Sequence, residues 1–381
     1  MEIPMKLENF KVETWMNEHE NDCIYNLTES CFTPLTMREL LDLCEVREAF
    51  MEDLLEVRLD YGPIAGSNEL RQEIASLYKN CSPDQIAIAQ GAINANAMAL
   101  YELIEKGDHI IAFTPLYQQL LSLPLSIGAE ITCIPCLEEA NWEPDISKLE
   151  AALKPNTKVL CLNNPCNPTG YLYTDEQMQA IAQFARQHDL WLFVDEVYRG
   201  LNQHDDSFGS SFFDFYDKCI VSGGLSKTFA LPGLRMGWLA APQSFIDKIT
   251  IRRDYHIISL PKINDTLSIL ALKNKDKILK RNRLISLQNR KTIQRWAAEE
   301  PHIDVVFTDS TTLFIRYDMD IPSDELALRL QKETGVFFVP GTCFDIDHHL
   351  RLGGGIEPKQ LAEGLAVFSK WLRQFDKEEN K

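Results

Sequence analysis

A chain of 381 residues is long enough for two packed domains, or one large domain with a smaller appendage, and for a sizeable buried site. Hydrophobic residues make up 45% and charged residues 25%, which suits a globular chain and excludes disorder. The formal net charge of -18 opposes phosphate backbones and anionic headgroups, so neither nucleic acid nor a membrane surface is an expected partner.

In chain order, the opening MEIPMKLENFKVETWMNEHEND has no basic segment followed by an apolar run and a small-residue cleavage site, so no secretory signal is expected. No later stretch reaches the roughly 18 apolar residues of a membrane span. The ten cysteines, set in runs such as KVLCLN and EITCIPC, read as buried free thiols of a reducing cytoplasm. Residues 1–40 lack sheet alternation and are expected to pack on the C-terminal part or the cleft. Thr36 with Glu39, and Thr174 with Gln177, predict capping boxes at two helix starts.

From residue 86 to 240, IAIAQ, HIIAF, EITCIP, KVLCL, LWLFVD, KCIVSG and MGWLAA alternate with helical patterns. Such alternation predicts a mainly parallel sheet covered by helices on both faces, with the chemistry on strand-end loops. Cys133 and Cys136 form a C-x-x-C, but no second ligand pair or strand-to-helix redox context accompanies it, so both read as packing residues. After residue 262 come a long charged helix through KNKDKILKRNRLISLQNRKTIQRWAAEE, the stretch FTDSTTLFIRYD, helix DELALRLQKETG, strand FFVP and a terminal amphipathic helix. These predict a smaller α+β domain. Asp345, Asp347, His348 and His349 read as a solvated loop rather than a metal site.

The most informative segment is Ser222-Gly223-Gly224-Leu225-Ser226-Lys227-Thr228-Phe229-Ala230-Leu231-Pro232-Gly233-Leu234-Arg235-Met236-Gly237-Trp238. A lysine after small residues at the end of an apolar strand sits in a cleft, and desolvation beside cations would lower its pKa toward Schiff-base chemistry. Ser-Lys alone would be a snorkelling cation; the Gly-flanked spacing to Arg235 changes that reading. Asp195 closes the strand LWLFVD, where a carboxylate needs a partner, although a helix-capping Asp is a common alternative. Asn163-Asn164-Pro165-Cys166-Asn167-Pro168-Thr169-Gly170 is a turn that exposes amide side chains. Gln90-Gly91-Ala92-Ile93-Asn94 lies between a strand and a helix, where free amides can cradle a phosphate.

On these motifs and their order, residues 61–355, and by extension the whole chain, resemble a fold-type I pyridoxal 5'-phosphate (PLP) enzyme of the class I/II aminotransferase family. The resemblance implies a three-layer α/β large domain on a mainly parallel seven-stranded sheet over residues 41–261, and a smaller α+β domain over 262–381. It implies that Lys227 binds the cofactor aldehyde and shuttles the substrate's α-proton, while Arg235 grips the phosphate, with Ser226 beside it. Asp195 is implied as partner of the pyridine nitrogen, and Tyr198 and Asn167 as donors to the cofactor's 3'-oxygen. Ala92 and Ile93 supply phosphate-binding amides, and Tyr117 stacks on the ring. Tyr61 of YGPIAGSNELR would reach the neighbouring phosphate across a homodimer interface. Arg351 of HHLRLGGG, with Asn167, would hold the substrate carboxylate.

Two departures stand out. Gly224 occupies a position where many relatives carry a phosphate-binding Ser or Thr, a role open to Ser222 or Ser226. Leu27-Thr28-Glu29-Ser30 replaces the expected glycine-containing substrate loop; Glu29 reads first as a surface acid, and otherwise as a cleft residue that attracts a cationic substrate side chain. The implied activity is transfer of an amino group from an L-amino acid to a 2-oxo acid. A lyase or cyclase on the same fold is the alternative. A PLP-binding regulatory module would need a helix-turn-helix or basic arm, and a nucleotide-binding enzyme would need G-x-G-x-x-G or G-x-x-x-x-G-K-[ST]; none occurs.

Overall fold

The computed structural model describes residues 7–201 and 207–379. After a two-residue strand β1 (Tyr25–Asn26), the seven expected runs form β2 (Ile86–Gln90), β3 (His109–Thr114), β4 (Glu130–Pro135), β5 (Thr157–Asn163), β6 (Trp191–Asp195), β7 (Cys219–Gly224) and β8 (Met236–Ala240). They make one sheet of order β2-β8-β7-β6-β5-β3-β4, in which β8 runs antiparallel to both neighbours and the other pairs are parallel.

Residues alternate between two cores, because successive side chains on a strand point to opposite faces. Leu160, Leu162, Leu192 and Val194 face one core, and Val159, Cys161 and Phe193 the other. Helices Asn68–Ala75, Asp175–Gln187 and Lys262–Lys273 cover the first through Leu70, Ile181 and Leu267. Helices Ala92–Leu103 and Gln243–Arg253 cover the second through Met98 and Ile249. This is the three-layer α/β arrangement that the alternation predicts. Both capping boxes are present. Because β4 lies on one side of β3 while β5, β6 and β7 extend on the other, a crevice opens where the connections reverse, at the carboxyl ends of β3 and β5.

Further along, β9 (Ile303–Val305), β10 (Thr312–Tyr317), β11 (Val336–Phe337), β12 (Val339–Pro340) and β13 (His349–Gly353) follow. An antiparallel sheet of order β12-β13-β10-β9 shares its core with helices Lys275–Glu299, Ser323–Thr334 and Pro358–Glu379, through Trp296, Leu330 and Phe368. The expected strand FFVP is in fact divided. Val336–Phe337 pairs in parallel with β1, Val339–Pro340 pairs with β13, and the Phe338 carbonyl between them accepts from the Trp15 indole at 2.9 Å instead of joining a ladder.

Other expectations need correction. Five cysteines are buried, but Cys133 is exposed because β4 is an edge strand, and Cys136 is only half-buried. His349 is not in a solvated loop: it heads β13, is buried, and stacks on Phe314 at 4.6 Å. Among the described residues, no group of three or more His, Cys, Asp or Glu is placed to hold a metal, and no helix is long and apolar enough to cross a membrane.

Candidate active site

A cavity of about 310 Å³ opens at the carboxyl ends of the large sheet. It gathers Glu29, Ala92, Ile93, Tyr117, Asn167, Asp195, Tyr198, Ser226, Lys227, Arg235 and Arg351. Two sequence candidates lie outside it: Ser222, and Tyr61, which is 75% exposed.

Lys227 lies in the turn after β7, where small residues leave its side chain room to enter the cavity. Its Nζ donates to the Ser30 hydroxyl at 2.8 Å and lies 5.7 Å from the centre of the Tyr198 ring. The expected lowering of its pKa does not occur for the free amine. Burial acts downward, but Cys31, Tyr198 and Glu29 outweigh it and the net direction is upward. Counting nearby cations in the sequence overlooked the acid that the fold brings alongside.

Asp195 ends β6 and is 4% exposed. Its carboxylate accepts from Asn96 Nδ2 at 2.7 Å and from the Val197 amide at 3.0 Å, both neutral donors. Burial pushes its pKa up against those bonds. A buried carboxylate in this state gains from a cationic partner in the cavity. The Asn163 amide ties β5 to β6 by donating to the Asp195 carbonyl at 2.8 Å, and its oxygen accepts from the Asn167 backbone at 2.7 Å, which fixes the Asn-Pro turn.

At the opposite end, Gly91 caps the helix Ala92–Leu103 at φ +79°, and a Cβ there would stand 2.6 Å from Arg235 Nη2. The guanidinium therefore lies against the helix start, where free amides of Ala92 and Ile93 and a fixed cation together suit a phosphate. Of the two serines considered beside Gly224, Ser226 lines the cavity, whereas Ser222 is a fully buried β7 residue that does not.

Arg351, on β13, is 4% exposed; its Nε donates to Thr28 Oγ1 at 3.1 Å and its Nη1 to Asn167 Oδ1 at 3.4 Å. Both partners are neutral, so the guanidinium can take a carboxylate. The segment carrying Thr28 and Glu29 reaches the cavity by lying directly on β13. The Gly353 amide donates to the Leu27 carbonyl at 2.8 Å, and a Cβ on Gly353 would collide with the Glu29 carbonyl oxygen. Glu29 is thus a cleft residue and not a surface acid. Its Oε1 accepts from the Cys31 amide at 3.0 Å; burial raises its pKa, but Lys227, that amide and Arg351 bring the net below the ordinary value.

Sequence reasoning missed Asn96, Ser30 and Glu13. Asn96 is a buried amide, one turn beyond Ala92, among the buried apolar residues Ala92, Ala95, Met98, Ala99 and Leu100 of the run AINANAMAL, and that contrast was its signal. Glu13 accepts from the Tyr117 hydroxyl at 2.7 Å across more than a hundred residues of chain, and nothing local announces it.

The cavity fits pyridoxal phosphate on three counts: a buried carboxylate with neutral partners, a cation against free helix amides, and an amine in the same cavity.

The match to known proteins agrees. The model of the family "Aminotransferase class I and II" matches residues 33–368. A PLP-dependent aminotransferase from Streptococcus suis is similar in structure, with TM-score 0.93 and 37% identity over 97% of this chain and 99% of that one. Capreomycidine synthase of Streptomyces vinaceus is 26% identical over 97% of this chain and 95% of its own length. Aspartate aminotransferase of Streptomyces avermitilis is 29% identical over 82% of each. A PLP-dependent cyclase, OrfR, shares the fold at TM-score 0.88 and 23% identity, covering 98% of this chain and 99% of that one. With its fold, its cavity and a family match along most of its length, the chain belongs to the class I and II aminotransferases, enzymes of PLP transferase fold type I whose cofactor is pyridoxal 5'-phosphate.

Proposed function

We propose that the protein transfers the amino group of an L-amino acid to a 2-oxo acid. The observation that carries this reading is the meeting of Lys227, Asp195 and Arg351 in one cavity, with Arg351 free of any carboxylate among its hydrogen-bond partners. Bound pyridoxal phosphate supplies an electron sink that stores the charge released at the substrate's α-carbon and carries the amino group between the two half-reactions.

The chain's own groups then take defined parts. Arg351 and Asn167 fix the α-carboxylate, and a bidentate fork holds the α-carbon in one orientation. Lys227 Nζ anchors the cofactor and, once displaced by substrate, removes the α-proton. Asp195 pairs with the ring nitrogen and Asn96 holds that carboxylate in place. Tyr198 and Asn167 would hold the ring's 3'-oxygen, and Tyr117 would pack against the ring. Ala92, Ile93, Ser226 and Arg235 hold the phosphate, and Tyr61 joins them from the partner copy of a homodimer. The proposed division is a cofactor-binding unit over 41–261 and a smaller unit over 262–381, with 1–40 packed on the latter, although helix Lys262–Lys273 packs on the core of the large sheet through Leu267. Ten free thiols suit a cytoplasmic enzyme.

The likeness to capreomycidine synthase and to a cyclase supports a second reading, a lyase or cyclase with the same cofactor shell. Single-turnover spectra of the holoenzyme with the common amino acids and ornithine, with mass spectrometry of products, separate the two. Transamination leaves pyridoxamine phosphate and one 2-oxo acid per site. Continuous release of ammonia or carbon dioxide without pyridoxamine phosphate would overturn it in favour of the second reading.

A further inference from the structure

One wall of the cavity is built by the N-terminal segment. Glu13, Met16, Asn17 and Glu20 recur at the three- and four-residue spacing of one helix face, and all four line the cavity together with Val12. Glu29 joins them from the segment laid on β13. Val12 and Met16 give this face an apolar stretch, and the three carboxylates give it an anionic end. The acids feel one another: burial, then Glu29 and Glu13, hold the Glu20 carboxyl above its ordinary value.

Charge accounting shows what is missing. The cavity's cations are Lys227, Arg235 and Arg351. On the reading above, the cofactor engages the first two, and the substrate's α-carboxylate engages the third, which is buried with neutral partners only. Glu13 is occupied as an acceptor for Tyr117, and Glu29 has given one oxygen to Cys31. Once cofactor and α-carboxylate are seated, Glu13, Glu20 and Glu29 keep no cation of their own from the described cavity wall. A second carboxylate on the substrate would add to that repulsion, whereas a cation would relieve it.

We propose that the side-chain end of this cavity selects amino acids whose side chain is an aliphatic stem ending in a cation, with Val12 and Met16 along the stem and Glu29 and Glu20 at the charge. The proposal rests on the reading of Arg351 as the α-carboxylate clamp. It does not depend on which bond is broken afterwards.

The test uses three carboxylates of matched stem length that carry no primary amine and so cannot condense with the cofactor aldehyde of the holoenzyme: 5-guanidinopentanoate, hexanoate and adipate. Calorimetry should rank them cationic, neutral, dianionic, with at least about tenfold between the first and last, and Glu29→Gln or Glu20→Gln should each narrow that gap severalfold. Equal binding of all three, or tighter binding of adipate, overturns the proposal. Arg351→Gln should weaken all three together; if it weakens none, the clamp reading fails instead. A cationic preference in an enzyme that never forms pyridoxamine phosphate leaves the selectivity standing and refutes the transamination reading.

Discussion

Asn96 Nδ2 donates to Asp195 Oδ2 at 2.7 Å, and the same Asn96 amide group reaches Gln119 Oε1 at 3.2 Å. One helix thus presents its first amides to the cavity beside Arg235 and, a turn later, a side chain that holds the Asp195 carboxylate. If pyridoxal phosphate binds as proposed, a single rigid element would position both its phosphate and its ring nitrogen.

Asn96→Ala is therefore expected to weaken cofactor affinity by about tenfold or more, the cost of removing a hydrogen bond to a charged group. Because the residue acts through Asp195, the pH at which the bound cofactor's absorbance band shifts should move as well. A folded Asn96→Ala protein with unchanged affinity and an unchanged titration would refute this positioning role.

Gly91→Ala should act on both stability and the phosphate end. Its φ of +79° with ψ of 162° lies in a region that glycine alone occupies readily, so an alanine there costs about 1–3 kcal/mol. Its Cβ would also displace the flexible end of Arg235. Gly107, at φ +87° with nothing within 4 Å of its added Cβ, is the control. Both alanine variants should lower the denaturant midpoint, but only Gly91→Ala should speed cofactor release on dialysis. Equal retention of cofactor in the two would sink the argument.

Short, nearly continuous apolar runs set between helical patterns made the seven strands of the large sheet legible in the sequence, because strands buried on both faces carry few polar residues. Asp195 was legible for the same reason, since a polar group that closes an apolar strand stands out, whereas Asn167 was marked by the Asn-Pro turn after β5 and Lys227 by its Gly-flanked spacing to Arg235. What stayed hidden depended on long-range contact. The split at Phe338 follows from Trp15 taking its carbonyl, and the placing of Glu29 in the cleft follows from close packing on Gly353. Neither contact leaves a local pattern.

His109, the first residue of β3, is fully buried with its ring nitrogens 2.8 Å from the hydroxyls of Thr157 and Thr132. Burial, then the nearby Lys154 ammonium, hold its pKa below the ordinary value near 6.5. Below that pH the unfolded chain takes a proton that the folded chain resists. The stabilising contribution is accordingly complete above about pH 6.5 and is lost as the pH falls from there through the window down to the folded pKa. His109→Gln should flatten the fall in melting temperature between about pH 7 and 5 relative to the parent. Parallel curves for the two proteins would show that another group is responsible.

The phosphate end of the cavity is open in a single chain. Arg235 is exposed, Ile93 is 39% exposed, and Tyr61 projects into solvent, as do Leu59 two residues before it and Ile251 and Tyr255 at and beyond the end of helix Gln243–Arg253. So much apolar and aromatic surface is what an interface between copies would cover. If Tyr61 completes the partner's phosphate site, Tyr61→Phe and Lys227→Ala proteins should each be nearly inactive alone. A mixed dimer would then have one site with both residues intact and one with neither. Co-refolding the two variants should restore part of the parent's activity, while refolding either alone should not. Borohydride treatment of the parent should fix the cofactor on Lys227, and peptide mapping of the mixed sample should find it on the Tyr61→Phe chain. Absence of complementation in dimers confirmed by sedimentation, or a monomer with full activity, would show that each chain completes its own site.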